Sequence, residues 1–222
     1  MRRLYHHPLC PFSRKVRLVL GEKRIEAELI EERVWERRLD YLRLNPACET
    51  PALVEPGGQA LAHHQAIAEY LEETGPDPRL LPVDPVERAE ARRLVGWFDD
   101  KFNAEVTEAL VAERAMKRIM RAGTPDSARI KAGAKAVKLH LEYIGWLVER
   151  RHWLAGERLT LADFAAAAHL SCLDYLGDAP WEVSEPAREW YARVKCRPAF
   201  RPLLADHVPG LSPPAHYADL DF

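Results

Sequence analysis

The sequence predicts an α/β N-terminal domain followed by an all-α C-terminal domain, and three observations carry that prediction. Near the start, the alternating run Arg2-Arg3-Leu4-Tyr5-His6 gives way to Cys10-Pro11 and then to Phe12, Val16, Val19 and Leu20 at i, i+4, i+7 and i+8, a strand followed by one face of a helix. Two proline-rich breaks, Gly75-Pro76-Asp77-Pro78 and Pro82-Val83-Asp84-Pro85, bracket Leu80-Leu81 as a linker with an apolar anchor. Beyond them only helical spacing remains. The boundaries read as 1–75 for the first domain, 76–85 for the linker, 86–206 for the helices and 207–222 for an extended tail.

Each element follows from local chemistry. Pro11 suits the first turn of a helix, where its missing N–H has no internal partner to lose. Glu26 to Glu31 alternates weakly, as a second strand does. Glu32 to Leu44 is charged, with Trp35, Leu39, Tyr41, Leu42 and Leu44 as its apolar members, and reads as a loop and a short helix. Ala52-Leu53-Val54-Glu55 and Gln59-Ala60-Leu61 flank Pro56-Gly57-Gly58, the turn chemistry of a hairpin. Ile67, Tyr70 and Leu71 place a helix over His64 to Glu73. Val86 to Arg121 would be about 50 Å long if unbroken, and stops at Gly123-Thr124-Pro125. Ser127 to Arg151 repeats its pattern, and shorter helices follow over Leu161 to Tyr175, Ser184 to Val194 and Ala199 to Leu204. Trp97, Phe98, Phe102, Trp146 and Trp153 are expected in the core, and Asp206 to Phe222 shows no period.

Composition narrows the function classes. A chain of 222 residues, 47% hydrophobic and 30% charged, has the make-up of a soluble protein with a substantial core. A net charge of -2 gives no general pull toward nucleic acid or an anionic membrane. No apolar run approaches the roughly 20 residues needed to span a bilayer, and Met1-Arg2-Arg3-Leu4 does not open into a signal peptide. Cys10, Cys48, Cys172 and Cys196 lie far apart without a C-x-x-C pair, so neither a disulfide framework nor a metal cage is expected. A reducing cytoplasm is the expected home.

Cys10 sits where a helix begins, and the unpaired N–H groups and dipole there favour a thiolate. Strand, turn and helix-start cysteine are how thiol chemistry is built on a thioredoxin-like sheet. Further on, Thr160-x-x-Asp163 precedes an alanine-rich run, an N-capping arrangement whose loss typically costs about 1 kcal/mol. In sequence order, the Cys-Pro-Phe-Ser helix start, Glu49-Thr50-Pro51-Ala52-Leu53, Ala66-Ile67 and Gly156 with Thr160-x-x-Asp163 resemble the cytosolic glutathione transferases over nearly the whole chain. The resemblance implies the glutathione transferase fold, a cis peptide at Pro51, and pairing of the Thr50 backbone with the cysteinyl part of glutathione.

One part of that pattern is replaced. Where the family carries an acid–hydroxyl pair in Glu-Ser-x-Ala-Ile to hold the γ-glutamyl end, this chain reads His63-His64-Gln65-Ala66-Ile67. A protonated imidazole repels the ligand's ammonium and a neutral one compensates it weakly. Charge-assisted hydrogen bonds contribute about 1.5–3 kcal/mol each, so the exchange puts glutathione binding itself in doubt. Ser13 reads as a cap or a solvent-facing residue rather than an activator of Cys10. His6-His7 and His63-His64 are not expected to bind metal, because neighbours on a strand point to opposite faces.

Three further features point outward. Trp35 lies among Glu31, Glu32, Arg33, Glu36, Arg37 and Arg38, and either packs on the sheet edge or serves as a protein-contact residue. Glu113, with Arg114, Lys117, Arg118 and Arg121, marks a solvated helix face or one rim of a binding groove. The tail ends in Tyr217, Asp219, Leu220, Asp221 and Phe222, alternating apolar groups with carboxylates, and either docks on a partner or folds back on its own domain. This ending, the His-His exchange and the Cys-Pro-Phe-Ser-Arg-Lys-Val-Arg start resemble the transferase-like division proteins of alphaproteobacteria that bind filaments of the tubulin homologue FtsZ. That resemblance implies a non-enzymatic, homodimeric adaptor without a cofactor, recruited to the division site. The second reading is a glutathione-dependent thiol transferase or dehydroascorbate reductase, with Cys10 as thiolate and Thr50, Pro51 and the His63-His64 helix start around glutathione. The adaptor is the preferred reading.

Overall fold

The computed structural model describes residues 1–220; Asp221 and Phe222, assigned above to a partner-binding ending, lie outside the described residues. Four strands, β1 (Arg2–His6), β2 (Ala27–Glu31), β3 (Ala52–Val54) and β4 (Ala60–Ala62), form one sheet in the order β2-β1-β3-β4. β1 runs parallel to β2, with Leu4 opposite Leu29, and antiparallel to β3, with Leu4 opposite Leu53. The parallel pair needs a crossover, and α1 (Pro11–Glu22) supplies it. The β3–β4 hairpin turns at Gly58, whose φ of +90° disfavours any side chain. A 3-10 turn at Val34–Glu36 and α2 (Leu39–Leu44) fill the charged stretch, and α3 (His64–Thr74) follows β4.

The architecture turns on α1. It packs on α3 on one side and on α8 (Leu161–Leu176) on the other. Ala165 to Ala168 keep α8 slim enough for that approach, and the two domains share one apolar core. Enclosed from both sides, α1 buries even Ser13, Arg14, Lys15 and Arg17. An amphipathic reading would leave those residues in water.

In the helical domain, α4 (Pro85–Gly96) continues through a π-helical stretch (Trp97–Thr107), α5 (Glu108–Val111), a second π-helical stretch (Ala112–Met116) and α6 (Lys117–Met120). Each junction keeps right-handed helical angles, and Arg121 in the left-handed conformation ends the rod. The expected single long helix is present, with wider turns that sequence spacing did not reveal. α7 (Ser127–Val148), α8, α9 (Glu185–Lys195) and α10 (Arg201–Leu204) complete the domain. The Thr160–Asp163 capping box is formed, and the Asp163 carboxylate also accepts from Leu154 N–H (3.0 Å) and Trp190 Nε1–H (2.9 Å). Leu80 and Leu81 anchor the linker, their N–H groups held by the Glu72 carboxylate at 3.0 and 3.1 Å.

Two expectations about packing need correction. Trp146 is not in the core: it is 49% exposed, because Val137, Leu141, Ile144 and Leu147 form the inward stripe of α7 and Trp146 falls beside it. Arg150 covers its ring at 4.5 Å from the centroid. The tail is not extended either. Asp206 binds the Arg17 guanidinium at 2.7 and 2.8 Å, and Val208 N–H donates to Tyr175 Oη at 3.1 Å. Tyr217, in a 3-10 turn at Ala215–Ala218, is fully buried; it donates to the Leu203 carbonyl (3.0 Å) and accepts from Arg14 Nη1 (3.1 Å). The tail is a strap tying α1 to α10.

Candidate functional site

A cleft of about 490 Å³ opens where the domains meet. Its α/β wall carries His7, Cys10, Trp35, Cys48, Glu49, Thr50, Pro51, His63 and His64; its helical wall is the first π-helical stretch and α5, with Asp99, Asp100, Asn103, Thr107 and Glu108. The wider π-helical turns thus lie where the two domains face each other.

At one end the thiol arrangement is intact. Cys10 caps α1: its Sγ accepts from Ser13 N–H and donates to the Thr50 carbonyl, both at 3.4 Å. The Thr50–Pro51 peptide is cis, as the resemblance implies. The preceding Glu49 carbonyl is fixed by Tyr41 Oη and by Asn45 Nδ2 (2.7 Å). Ser13 is buried and its Oγ accepts from His7 N–H at 3.4 Å, so it braces the loop instead of presenting a hydroxyl to the cleft.

The other end is occupied by the protein's own charges. His63 holds φ +74° just before α3, a strained setting for a residue with a Cβ, and its side chain makes no capping bond. The rings of His63 and His64 stack at 4.4 Å, so these neighbours do not diverge as residues of a strand would. His64 also stacks on Phe12 at 4.2 Å. Lys15 Nζ reaches out of α1 to His64 Nδ1 (2.8 Å) and Gln65 Oε1 (3.2 Å), and pairs with the Asp99 carboxylate. His169 Nε2 lies 3.6 Å from the second Asp99 oxygen, and its Nδ1 lies 2.7 Å from Thr107 Oγ1.

An ammonium only donates, so His64 Nδ1 must accept from Lys15 and the ring is neutral. Burial, reinforced by the Lys15 charge, pushes His64 down to about 3. Burial alone would raise Asp99, but Lys15 and then His169 hold it at about 2. Asp99 therefore stays ionised, with an ammonium already beside it. Sequence reading missed Lys15, Asp99 and His169. Their separate helices meet only after the domains pack, and no local spacing signals that meeting.

Glutathione fits this surface poorly. The acid–hydroxyl pair is absent, and the carboxylate that could attract a ligand ammonium is neutralised by Lys15. Of the described cleft-lining residues none is Lys or Arg, while Glu49, Asp99, Asp100 and Glu108 are carboxylates, so the ligand's own carboxylates meet like charge. No group of three or more His, Cys, Asp or Glu side chains able to hold a metal occurs among the described residues.

The outward-pointing candidates separate. Trp35 is half-buried, edge-on to His7 at 5.4 Å, between the cleft and a neighbouring groove. Glu113 is not a groove rim: it is fully buried, bound to Arg129 (2.9 Å) and Lys117 (2.6 Å), and accepts Asp126 N–H (2.8 Å) at the start of α7. Tyr217 is inside the strap rather than on the surface. Asp219 bears on Lys195, and the Leu220 carbonyl accepts from Cys196 Sγ at 3.7 Å, near the end of α9.

The comparisons with known proteins agree with this frame. Models of the glutathione S-transferase N-terminal and C-terminal domains match residues 9–74 and 109–198. FtsZ-localized protein A of Caulobacter vibrioides is 51% identical over 224 residues, covering 100% of this chain and 98% of that protein. Glutathione S-transferase 3 of Zea mays is 27% identical, covering 97% and 98%. Among solved structures, a glutathione S-transferase from Rhodospirillum rubrum F11 superposes with a TM-score of 0.98 at 55% identity, covering 100% of both chains. FzlA from C. crescentus superposes at 0.96 with 51% identity, covering 100% and 99%. A cis-Pro51 thiol site at the start of α1, a β2-β1-β3-β4 sheet and a capped all-helical second domain, matched along the chain by these relatives, place this protein in the glutathione S-transferase family.

Proposed function

We propose that this protein is a non-enzymatic division adaptor that binds and organises FtsZ filaments from a homodimeric transferase scaffold, in the cytoplasm at the division site and without a cofactor. The observation that carries the reading is the Lys15–His64–Asp99 cluster. At the end where the family holds the γ-glutamyl group, it pairs Asp99 with Lys15 and sets a neutral imidazole in place of the acid–hydroxyl pair. The relative named FtsZ-localized protein A, alike over the whole chain, supports the choice of filament. Two copies of one surface would let weak contacts act together through effective concentration. No helix among the described residues is long and apolar enough to cross a membrane, in keeping with recruitment by a protein partner.

The thiol-transferase reading, with glutathione as co-substrate, retains one specific support. Cys10 is partly exposed at the start of α1, with Ser13 N–H directed at its sulfur.

Co-sedimentation with FtsZ filaments tests the adaptor reading. The protein is expected in the pellet with filaments, and Asp219→Lys or Trp35→Ala is expected to reduce that fraction without lowering thermal stability. A protein that stays in the supernatant at every filament concentration contradicts the reading. If Asp219→Lys lowers stability together with pelleting, the lost pelleting follows from a loosened strap and Trp35 becomes the interface residue.

A further inference from the structure

Beside the cleft lies a second, smaller groove of about 280 Å³, bounded by the 3-10 turn after β2, the tip of α6 and the returning tail. Its chemistry is opposite to that of the cleft. Arg33, Arg118 and Arg121 line it, with Glu31 as its one carboxylate among the described residues. Glu31 lies 3.8 Å from Arg33, whereas the guanidiniums of Arg118 and Arg121 have no acidic partner among the described residues. The last two stand at the end of the long rod, Arg118 in its final turn and Arg121 at its left-handed cap, and both line the groove. Like charges gathered without counter-charges repel one another, and a bound carboxylate would relieve that cost.

The remaining walls are apolar. Trp35 forms one, and Val208, Pro209 and Leu211 of the tail form the other, with Leu211 N–H turned back onto the Val208 carbonyl at 3.0 Å. His7 supplies a polar contact between them. Its Nδ1 accepts Leu9 N–H at 3.3 Å, which places the ring proton on Nε2, and Nε2 has no partner among the described residues.

We propose that this groove docks an extended acidic segment of a protein partner, its carboxylates on Arg118 and Arg121 and an apolar side chain between Trp35 and the tail turn. The chemistry stands on the groove itself; only the identity of the donor rests on the adaptor reading, in which the filament supplies the segment. Arginine suits the task because its planar fork pairs with carboxylates in a fixed geometry. The charge pairs sit on a solvated rim, so the contact should weaken steeply with salt. The strap then has a second use: by folding back it builds one wall of the groove.

Fluorescence anisotropy with a short labelled peptide alternating aspartate and leucine is the direct test, run on the full chain at low salt. Saturable binding is expected, lost at high salt, reduced at least tenfold by Arg118→Glu with Arg121→Glu, and reduced by Trp35→Ala. A peptide alternating lysine and leucine should not bind. Equal binding of the two peptides, or an unchanged affinity in the double reversal, overturns the proposal. So does displacement of the acidic peptide by a single-stranded oligonucleotide at much lower concentration, which would mark a phosphate site. The same double reversal in filament co-sedimentation separates the two readings. Normal pelleting with lost peptide binding keeps the groove and overturns the filament as its donor. Peptide binding by a protein that never pellets keeps the groove and overturns the adaptor.

Discussion

The two ends of the interdomain cleft have been treated differently. At the α1 start, Cys10, the Thr50 carbonyl and cis-Pro51 keep the frame of a thiol site, with Cys10 Sγ bonded to backbone groups and the adjoining loops braced by Tyr41, Asn45 and Ser13. At the α3 start, the backbone turn is present but its chemistry is replaced. His63 occupies a strained φ, His64 stacks between rings, and Lys15 brings its own ammonium to Asp99. A fold fixes where a site can be; the side chains that meet there decide what it can hold. Here the packing of α1 against α8 that shapes the cleft also brings Lys15 to Asp99 of the first π-helical stretch at one end of it.

The largest expected effect comes from acid, which reaches both ends. Burial holds His6 and His7 at about 4 on the thiol side and His64 at about 3 on the other. The unfolded chain takes up protons near 6.5 that the folded chain refuses, so their contribution is complete above pH 6.5 and is lost as pH falls toward 4 and 3. His6 and His7 each correspond to roughly 3 kcal/mol over that window and His64 to roughly 5, so the three together rival the stability of a whole domain. Near-UV circular dichroism should therefore show unfolding between about pH 6 and pH 4; a native signal persisting below that range would mean that the imidazoles are not held neutral.

Removing the ammonium separates the two ends. Lys15→Met leaves Asp99 buried without its counter-charge and should cost about 3–5 kcal/mol, measured by urea unfolding. Cys10→Ser, at the other end, should stay within about 1 kcal/mol. Equal effects would erase the distinction between a sealed end and an open one. A smaller loss is expected from Tyr217→Phe, which takes one partner from Arg14 Nη1 and from the Leu203 carbonyl, while Ser171 Oγ and the Asp206 N–H remain, at a cost of about 1 kcal/mol by the same assay. A neutral result would mean that the strap is held by Asp206 and Val208 instead.

Much of the frame was legible because local signals agreed with it: proline at a helix start, turn residues between short strands, and Thr160-x-x-Asp163 before alanines. The departure at His63-His64 was legible as a broken motif. Its physical consequence was not, because Lys15 lies in a run of alternating charged and apolar residues that reads as a solvated face. Arg14 is buried against α8 and the tail, Lys15 against α3 and the first π-helical stretch, and Arg17 against the tail and α10, contacts that form only once the domains pack. Glu113 and Tyr217 misled for a related reason. Charged and aromatic residues near an element's end suggest a surface, yet each closes a long-range contact, Glu113 with Arg129 and Tyr217 with Arg14.

The central claim is that the chain's own charges exclude glutathione from the cleft, and calorimetric titration with glutathione tests it most directly. The unmodified protein should give no measurable heat with millimolar ligand. His63→Glu with His64→Ser should restore weak binding, because the exchange returns the acid–hydroxyl pair while Asp99 keeps its Lys15 partner. Micromolar binding by the unmodified protein would contradict the account.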